Sequence, residues 1–259
     1  MDRRPNLMKA LDANWYKSIW SMDIKKQSWV EETESQVNFI INTLKLTGNE
    51  RILDLACGFG RHALSFVRRG FQVTGVDITK EFINNAIKTA KTEGLKAQFI
   101  NSDIRDLHIT NEYDIILNLA DGAIGYLESD EENIKIFNVI SNALKPGGKH
   151  FMDICNAEYA ENYFPAQFWD AGENALSVSR FEWDDKKRIM LFGDKTIPYG
   201  EPAEKPDIEY GAPQRLYSIN EIEQIWKALG MKIVQTFSNY YGKASSFREL
   251  QLMVYSEKL

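Results

Sequence analysis

One stretch, RILDLACGFGRHA at residues 51–63, limits what this chain can become. The apolar run Ile52-Leu53 and Leu55-Ala56 carries a single acid, Asp54, and stops at the turn Gly58-Phe59-Gly60. A helical pattern follows, with Ala63, Leu64 and Val67 on one face and Gly70 where a helix would stop. The order is strand, tight turn, helix. A glycine at the turn leaves no side chain between backbone and ligand, and the free N–H groups of a helix start point into the same space. Such a unit is a nucleotide-type pocket. Gly58-x-Gly60-x-x-Ala63 fits the dinucleotide spacing, with Asp77 about 20 residues further on. Asp54 speaks against a pyrophosphate over this turn, because the carboxylate would repel it. It suits a ligand that is cationic and free of phosphate.

The rhythm of this unit continues. Val37, Ile40, Ile41 and Leu44 have helical spacing, and Gly48 is expected to end that helix. Residues 71–77, 97–101, 113–119 and 149–155 read as strands. Between them, Thr79 is placed to cap a helix with Phe82, Ile83, Ala86, Ile87 and Ala90 on its buried face. Ile134, Phe137, Ile140 and Leu144 mark another helix, expected to end at Lys145-Pro146-Gly147-Gly148. Alternating strands and helices imply an α/β fold, a parallel sheet covered on both faces. After Asn156 the rhythm breaks. Residues 177–183 and 188–197 predict a hairpin about residues 184–187, followed by an acidic loop punctuated by Pro198, Pro202 and Pro206, and a third strand over 208–217. This is too long for an ordinary connection and reads as a small antiparallel β insertion. Ser218 and Glu221 then form a capping box before a helix that buries Ile222, Ile225, Trp226 and Leu229. Residues 231–238 and 249–256 are the last two strands.

Composition excludes several classes. A net charge of −6 argues against nucleic acid as the main partner, which would favour a basic face. No run is long and apolar enough to span a bilayer, and MDRRPNLMKALDANW lacks the apolar core of a secretory signal. The two cysteines, Cys57 and Cys155, are expected as free thiols in the cytoplasm. His62, His108 and His150 are too scattered for a metal site. Trp15, Tyr16, Trp20 and Trp29 make the first thirty residues too aromatic for a disordered tail. They suggest an amphipathic helix, packed on the core or closing over a ligand, with Tyr16 and Trp20 on one face.

LDLACGFGRHA, VTGVDIT, FINSDIRDL, YDIILNLADGAIGYL and LKPGGKHFMDI occur in this order over residues 35–155. Together they resemble the class I S-adenosylmethionine-dependent methyltransferases. The GRHA variant with GY in the fourth motif is similar to a group of bacterial small-molecule methyltransferases. The resemblance implies a Rossmann-like doubly wound sheet of seven strands, mostly parallel, with the last two strands as its antiparallel end. It also implies a domain made of residues 35–155 and 216–259, an aromatic-rich lid at 1–34, and a substrate lid at 156–215. S-adenosylmethionine would be the cofactor. On this resemblance Asp54 manages the methionyl ammonium, while Ala56, Gly58 and Gly60 pass beneath the ligand as bare backbone. Asp77 accepts from the ribose hydroxyls and Ile78 packs on adenine. Asp103 accepts from the adenine amino group and the Ile104 N–H reaches a ring nitrogen. Arg61 either meets the methionine carboxylate or forms a surface ion pair. A backbone carbonyl at Asn118 or Leu119 holds the ammonium, and Tyr16 and Trp20 cover the cofactor.

The fourth motif lacks the proline-rich form of relatives that methylate amide or adenine nitrogens, which disfavours those substrates. A small-molecule acceptor, with N, O or C as the accepting atom, is the expected substrate, and a protein side chain stays open. Asp121, Tyr126 and Tyr241 are candidates for a base or substrate contact, and Arg248 for pairing a substrate carboxylate or phosphate. The alternatives are a non-catalytic S-adenosylmethionine-binding protein and a nicotinamide oxidoreductase, the latter disfavoured by Asp54 and by the KPGG before the fifth strand. A monomer and a homodimer fit the sequence equally.

Overall fold

The structure, a computed structural model, describes residues 8–173, 175–200, 202 and 205–259. The expected start of the lid, residues 1–7, and residues 201, 203 and 204 of the acidic loop lie outside the described residues. The chain begins with a two-residue strand, β1 (Lys9–Ala10), and three short 3-10 turns (Trp15–Lys17, Met22–Lys26 and Ser28–Val30). The alternating region is α1 (Thr33–Leu44), β2 (Arg51–Leu55), α2 (Arg61–Arg68), β3 (Gln72–Asp77), α3 (Lys80–Thr92), β4 (Gln98–Asn101), β5 (Tyr113–Asn118), α4 (Asp130–Ala143) and β6 (Leu144–Cys155). After it come α5 (Ala157–Tyr163), β7 (Ala166–Ala171), β8 (Ala175–Asp184), β9 (Ile189–Pro198) and β10 (Tyr210–Arg215). The chain closes with α6 (Ile219–Ala228), β11 (Met231–Phe237) and β12 (Gln251–Lys258).

Seven strands form the central sheet in the order β11-β12-β6-β5-β2-β3-β4. The pairs β2–β3, β3–β4, β2–β5 and β5–β6 are parallel. Strand β12 is antiparallel to both β6 and β11. One strand, not two, therefore runs against the others, because β11 reverses again and returns to the direction of β6. Consecutive residues of a strand face opposite sides, so Ile52 and Leu53, both fully buried, enter separate cores. Leu53 joins Ile116, Met152 and Val254 beneath Phe137, Ile140 and Trp226 of α4 and α6. Ile52 joins Leu117, Phe151 and Met253 beneath Val37, Ile40, Leu44 and Phe66 of α1 and α2. Each fully buried Ile or Leu contributes roughly 1.5–3 kcal/mol.

The chain runs β2, β3, β4 toward one edge and then crosses back to β5. In such sheets a crevice opens where the order reverses, outside the carboxyl ends of the strands. The capping box of α6 is present, with the Glu221 N–H on Ser218 Oγ and Glu221 Oε2 accepting from the Ser218 N–H at 2.9 Å. Three local expectations change. Helix α1 ends at Leu44 through Lys45, which adopts a left-handed conformation, and Gly48 serves the turn that follows. Thr79 occupies the cap position of α3 without a side-chain hydrogen bond. Strand β6 starts at Leu144 rather than after the KPGG turn, because Tyr113 pairs with Leu144 before the register shifts.

A second sheet has the order β1-β10-β9-β8-β7. Its β8–β9 hairpin closes on Asp184 Oδ1, which accepts from the Lys186 and Lys187 N–H groups. Strand β1 pairs in parallel with β10 and ties the N-terminal segment to this sheet. Instead of the expected amphipathic helix, the described part of the N-terminal segment holds β1 and the short turns. Asp12 and Ser21 side chains accept from the Asn14 and Asp23 N–H groups, and Ser18 Oγ donates to the Trp15 carbonyl. Small polar side chains that bond nearby backbone in this way compete with helix extension.

Candidate active site

A cavity of about 1020 Å³ lies at the carboxyl ends of β2, β3, β5 and β6, walled on its far side by the second sheet and the N-terminal turns. Its floor is the first crossover. Ala56 and Gly58 both take left-handed backbone (φ 54° and 56°). The position of a Cβ on Gly58 has no neighbour nearer than Phe82 at 4.0 Å, so its backbone is open to the cavity. Gly60 serves another purpose. It caps α2 with φ 80°, and a Cβ there would press to 3.0 Å from both Ala86 and Phe99. Its bareness lets α2 pack against α3 and β4, and it does not line the cavity.

Asp54 lines the cavity while only 2% exposed, and its Oδ2 has no hydrogen-bond partner among the described residues. Burial pushes its carboxyl up to about 7, against a downward pull from Arg61 and with an upward push from Asp77. A buried carboxylate oxygen without a donor is costly unless a ligand supplies one. Asp77 ends β3, where its carboxylate accepts from the Gly58 N–H at 2.8 Å and the Thr79 N–H at 2.7 Å. This clamps the glycine turn to the start of α3 and leaves lone pairs facing the cavity. Asn101 Nδ2 donates to the Asp77 and Ile78 carbonyls and fixes the ends of β3 and β4 together.

Asp103 and Ile104 line the same side. Asp103 is not a free loop acid. Burial pushes its carboxyl up, but Arg105, at 2.6 Å, more than offsets this and holds it ionised. Arg105 also reaches Glu128 and Glu132, and its Nη2 lies 3.2 Å from Tyr16 Oη. Tyr16 donates to Glu128 at 2.9 Å, and Lys17 binds the same carboxylate. The N-terminal segment is thus latched over the β4 end by one ionic cluster. Tyr16 and Trp20 both line the cavity, although no helix aligns them. The Trp20 ring stacks on Tyr126 at 6.0 Å, and Trp15 packs on both. Among the described residues Arg61 forms no surface ion pair. It sits under Trp29, and its Nη1 donates to Thr33 Oγ1 and Gln36 Oε1.

Beyond β5, the loop residues Ala120, Asp121 and Ala123 all have φ between 52° and 68°, left-handed backbone that costs about 1–2 kcal/mol for each non-glycine residue. Asn118 holds this loop. Its Nδ2 donates to the Gly122 carbonyl at 2.9 Å, while its Oδ1 faces His150. Asn118 is fully buried and outside the cavity wall, whereas Leu119 lies in it. The strained loop presents Asp121 to the cavity. Its Oδ2 accepts from Tyr126 at 3.0 Å and its Oδ1 from the Cys155 N–H at 3.2 Å.

Two expectations fail on exposure. Tyr241 is 76% exposed and stands at the rim. Its neighbour Tyr240 turns inward and donates to Asp153 Oδ2 at 2.7 Å. Arg248 is exposed, lies over the Phe247 ring and does not line the cavity. Sequence reasoning missed Asp153, Tyr240, Gln214 and Gln251. The alternation of β6 carried a signal for Asp153, which shares a face with Phe151, but Tyr240 and Gln214 are set by tertiary packing. Cys57 and Cys155 are free and line the cavity. Among the described residues no cluster of His, Cys, Asp or Glu could hold a metal ion, and no helix is long and apolar enough to cross a membrane.

The glycine turn and the strands around it match a known family. Residues 52–148 match a family described as a methyltransferase domain. The chain is 24% identical over 211 residues to a putative methyltransferase, YqeM, of Bacillus subtilis (strain 168), covering 80% of this chain and 84% of that one. It is 30% identical over 176 residues to a glycine/sarcosine N-methyltransferase of Aphanothece halophytica, covering 66% of each. Its fold is similar, with a TM-score of 0.72 at 21% identity, to an S-adenosylmethionine-dependent methyltransferase structure from Clostridium acetobutylicum ATCC 824, covering 95% of this chain and 98% of that one. Residues 52–148 thus form a methyltransferase domain, set in the fold of the class I S-adenosylmethionine-dependent methyltransferases.

Proposed function

We propose that this protein transfers the methyl group of S-adenosylmethionine to a small molecule bound between the central sheet and the second sheet. The observation that carries the reading is Asp54 Oδ2, a buried carboxylate oxygen with no donor, facing the cavity beside the bare backbone of Gly58. The residues fit the cofactor. Asp54 would take the methionyl ammonium, Arg61 the carboxylate with the donors it does not spend on Thr33 and Gln36, and Asp77 the ribose hydroxyls. Ile78, Asp103 and Ile104 would receive the adenine. When bound, the cofactor supplies a methyl carbon already activated by a positive sulfur.

The protein's task is then to hold the acceptor in line and exclude water. The aromatic wall of Trp15, Trp20 and Tyr126 and the ionic latch at Arg105 close the cavity on the cofactor side. Asp121 and Tyr126 stand beyond β5, where an acceptor would lie. Calorimetric titration tests the reading. S-adenosylmethionine and S-adenosylhomocysteine are expected to bind, while NADH and ATP do not. A protein that binds NADH and ignores S-adenosylmethionine would overturn it.

A further inference from the structure

The acceptor half of the cavity carries charge that the cofactor does not use. Asp121 and Asp153 are direct neighbours, with the Asp121 N–H donating to the Asp153 carbonyl at 2.7 Å. Each carboxylate is oriented by a phenol, Tyr126 on Asp121 and Tyr240 on Asp153. The Gln251 amide donates to the other Asp153 oxygen. Asp153 is 6% exposed, and what it exposes faces the cavity. Among the described residues the cavity wall holds eight carboxylates against one guanidinium, that of Arg61. His62, the wall's histidine, is held neutral by burial and by Arg61. Two adjacent carboxylates in a largely apolar enclosure repel each other and call for a positive partner. Asp54 Oδ2, lacking any donor in the same wall, shows that this cavity is completed by a ligand.

Resting on the methyl-transfer reading above, we infer that the acceptor is an amine entering as its ammonium, seated between Asp121 and Asp153, and that the Asp153 carboxylate takes the proton that the nitrogen must lose. The balance is simple. The ammonium N–H bond breaks and the proton goes to Asp153 Oδ, leaving a neutral amine. The nitrogen lone pair forms the N–C bond as the carbon–sulfur bond breaks, whose electron pair stays on sulfur. The product leaves as a methylated ammonium, and the proton on Asp153 passes to solvent. Burial pushes the Asp153 carboxyl up to about 7, with Tyr240 and the Arg61 guanidinium pulling it down and Asp121 up, so the group can accept and release a proton near neutral pH. A carboxylate or phenolate acceptor would instead meet two like charges.

Benzylamine, benzyl alcohol and benzoate, close in shape and differing in charge, test the inference on protein saturated with S-adenosylhomocysteine, with tryptophan fluorescence as the readout. Benzylamine is expected to bind at least about 10-fold tighter than either, the scale of a hydrogen bond to a charged group. In Asp153→Asn this preference should shrink to about 3-fold or less, while calorimetric affinity for S-adenosylhomocysteine stays within about 2-fold of wild type. Tyr240→Phe removes a hydrogen bond that pulls this carboxyl down, so the preference should weaken at pH 7 and strengthen again at pH 8. A second arm supplies deuteriomethyl S-adenosylmethionine and a metabolite extract, and separates mass-labelled products by charge at pH 7. Label in cationic products supports the inference. Tighter binding of benzoate or benzyl alcohol, or label confined to neutral or anionic products, overturns the amine acceptor and leaves methyl transfer standing. Failure of wild type to bind S-adenosylhomocysteine overturns both.

Discussion

Asp54→Asn separates what a buried carboxylate does for the cofactor from what it does to the fold. Burial, opposed by Arg61 and reinforced by Asp77, takes this carboxyl from an ordinary 3.8 to about 7. The folded chain thus holds the proton more tightly than the unfolded chain does. The favourable contribution is complete below pH 3.8 and is lost as pH rises through about 7. Above that, the ionised group destabilises the cofactor-free fold by up to about 4 kcal/mol. Asparagine has nearly the same shape and no charge. Cofactor-free Asp54→Asn should therefore melt higher than wild type at pH 8, by up to about 8–16 °C at 2–4 °C per kcal/mol for a chain of this size. The gain should shrink toward zero as pH falls to about 4. The cofactor ammonium loses its charged acceptor, so affinity should fall by about 1.5–3 kcal/mol, roughly 10- to 150-fold. Scanning calorimetry at several pH values, with and without S-adenosylmethionine, reads both effects. A variant that melts lower at pH 8, or binds cofactor as wild type does, would refute the assignment of Asp54 as an uncompensated charge awaiting a ligand.

Three further outcomes follow from the same geometry. Asp77→Ala should weaken cofactor binding by about 1.5–3 kcal/mol in calorimetry, since it removes the ribose acceptor and releases the Gly58 and Thr79 N–H groups; unchanged affinity would remove Asp77 from the site. Arg105→Ala unpairs Asp103 and removes one tie each from Glu128 and Tyr16, so limited proteolysis should cut within residues 17–30 faster and cofactor affinity should drop by about 1–2 kcal/mol; wild-type resistance would show that Arg105 does not hold the segment. Gly125→Ala places a Cβ 2.0 Å from the Arg215 carbonyl oxygen at a φ of 87°, so it should lower stability in chemical denaturation by more than about 1 kcal/mol; a neutral result would mean that the loop and β10 part easily.

The sequence by itself determined the first crossover, the strand and helix order, and which acids end the strands. Each of these is encoded locally. Alternation buries Ile52 and Leu53 on opposite faces, glycine permits the left-handed turn at Gly58, and Ser218 with Glu221 caps α6 within four residues. Strand β1 is two exposed residues whose partner, β10, lies far along the chain, and β7 is mostly exposed, so although β8 follows it directly, neither has an alternating apolar face to read. The same holds for the acceptor side of the site. Tyr240 rather than Tyr241 meets Asp153, and Arg248 stays outside, because the chain's path between β11 and β12 settles which side chain turns inward. Only the tertiary structure could bring Trp15, Tyr126 and Asp153 to one cavity, since contacts between residues more than a hundred positions apart leave no periodic mark in sequence.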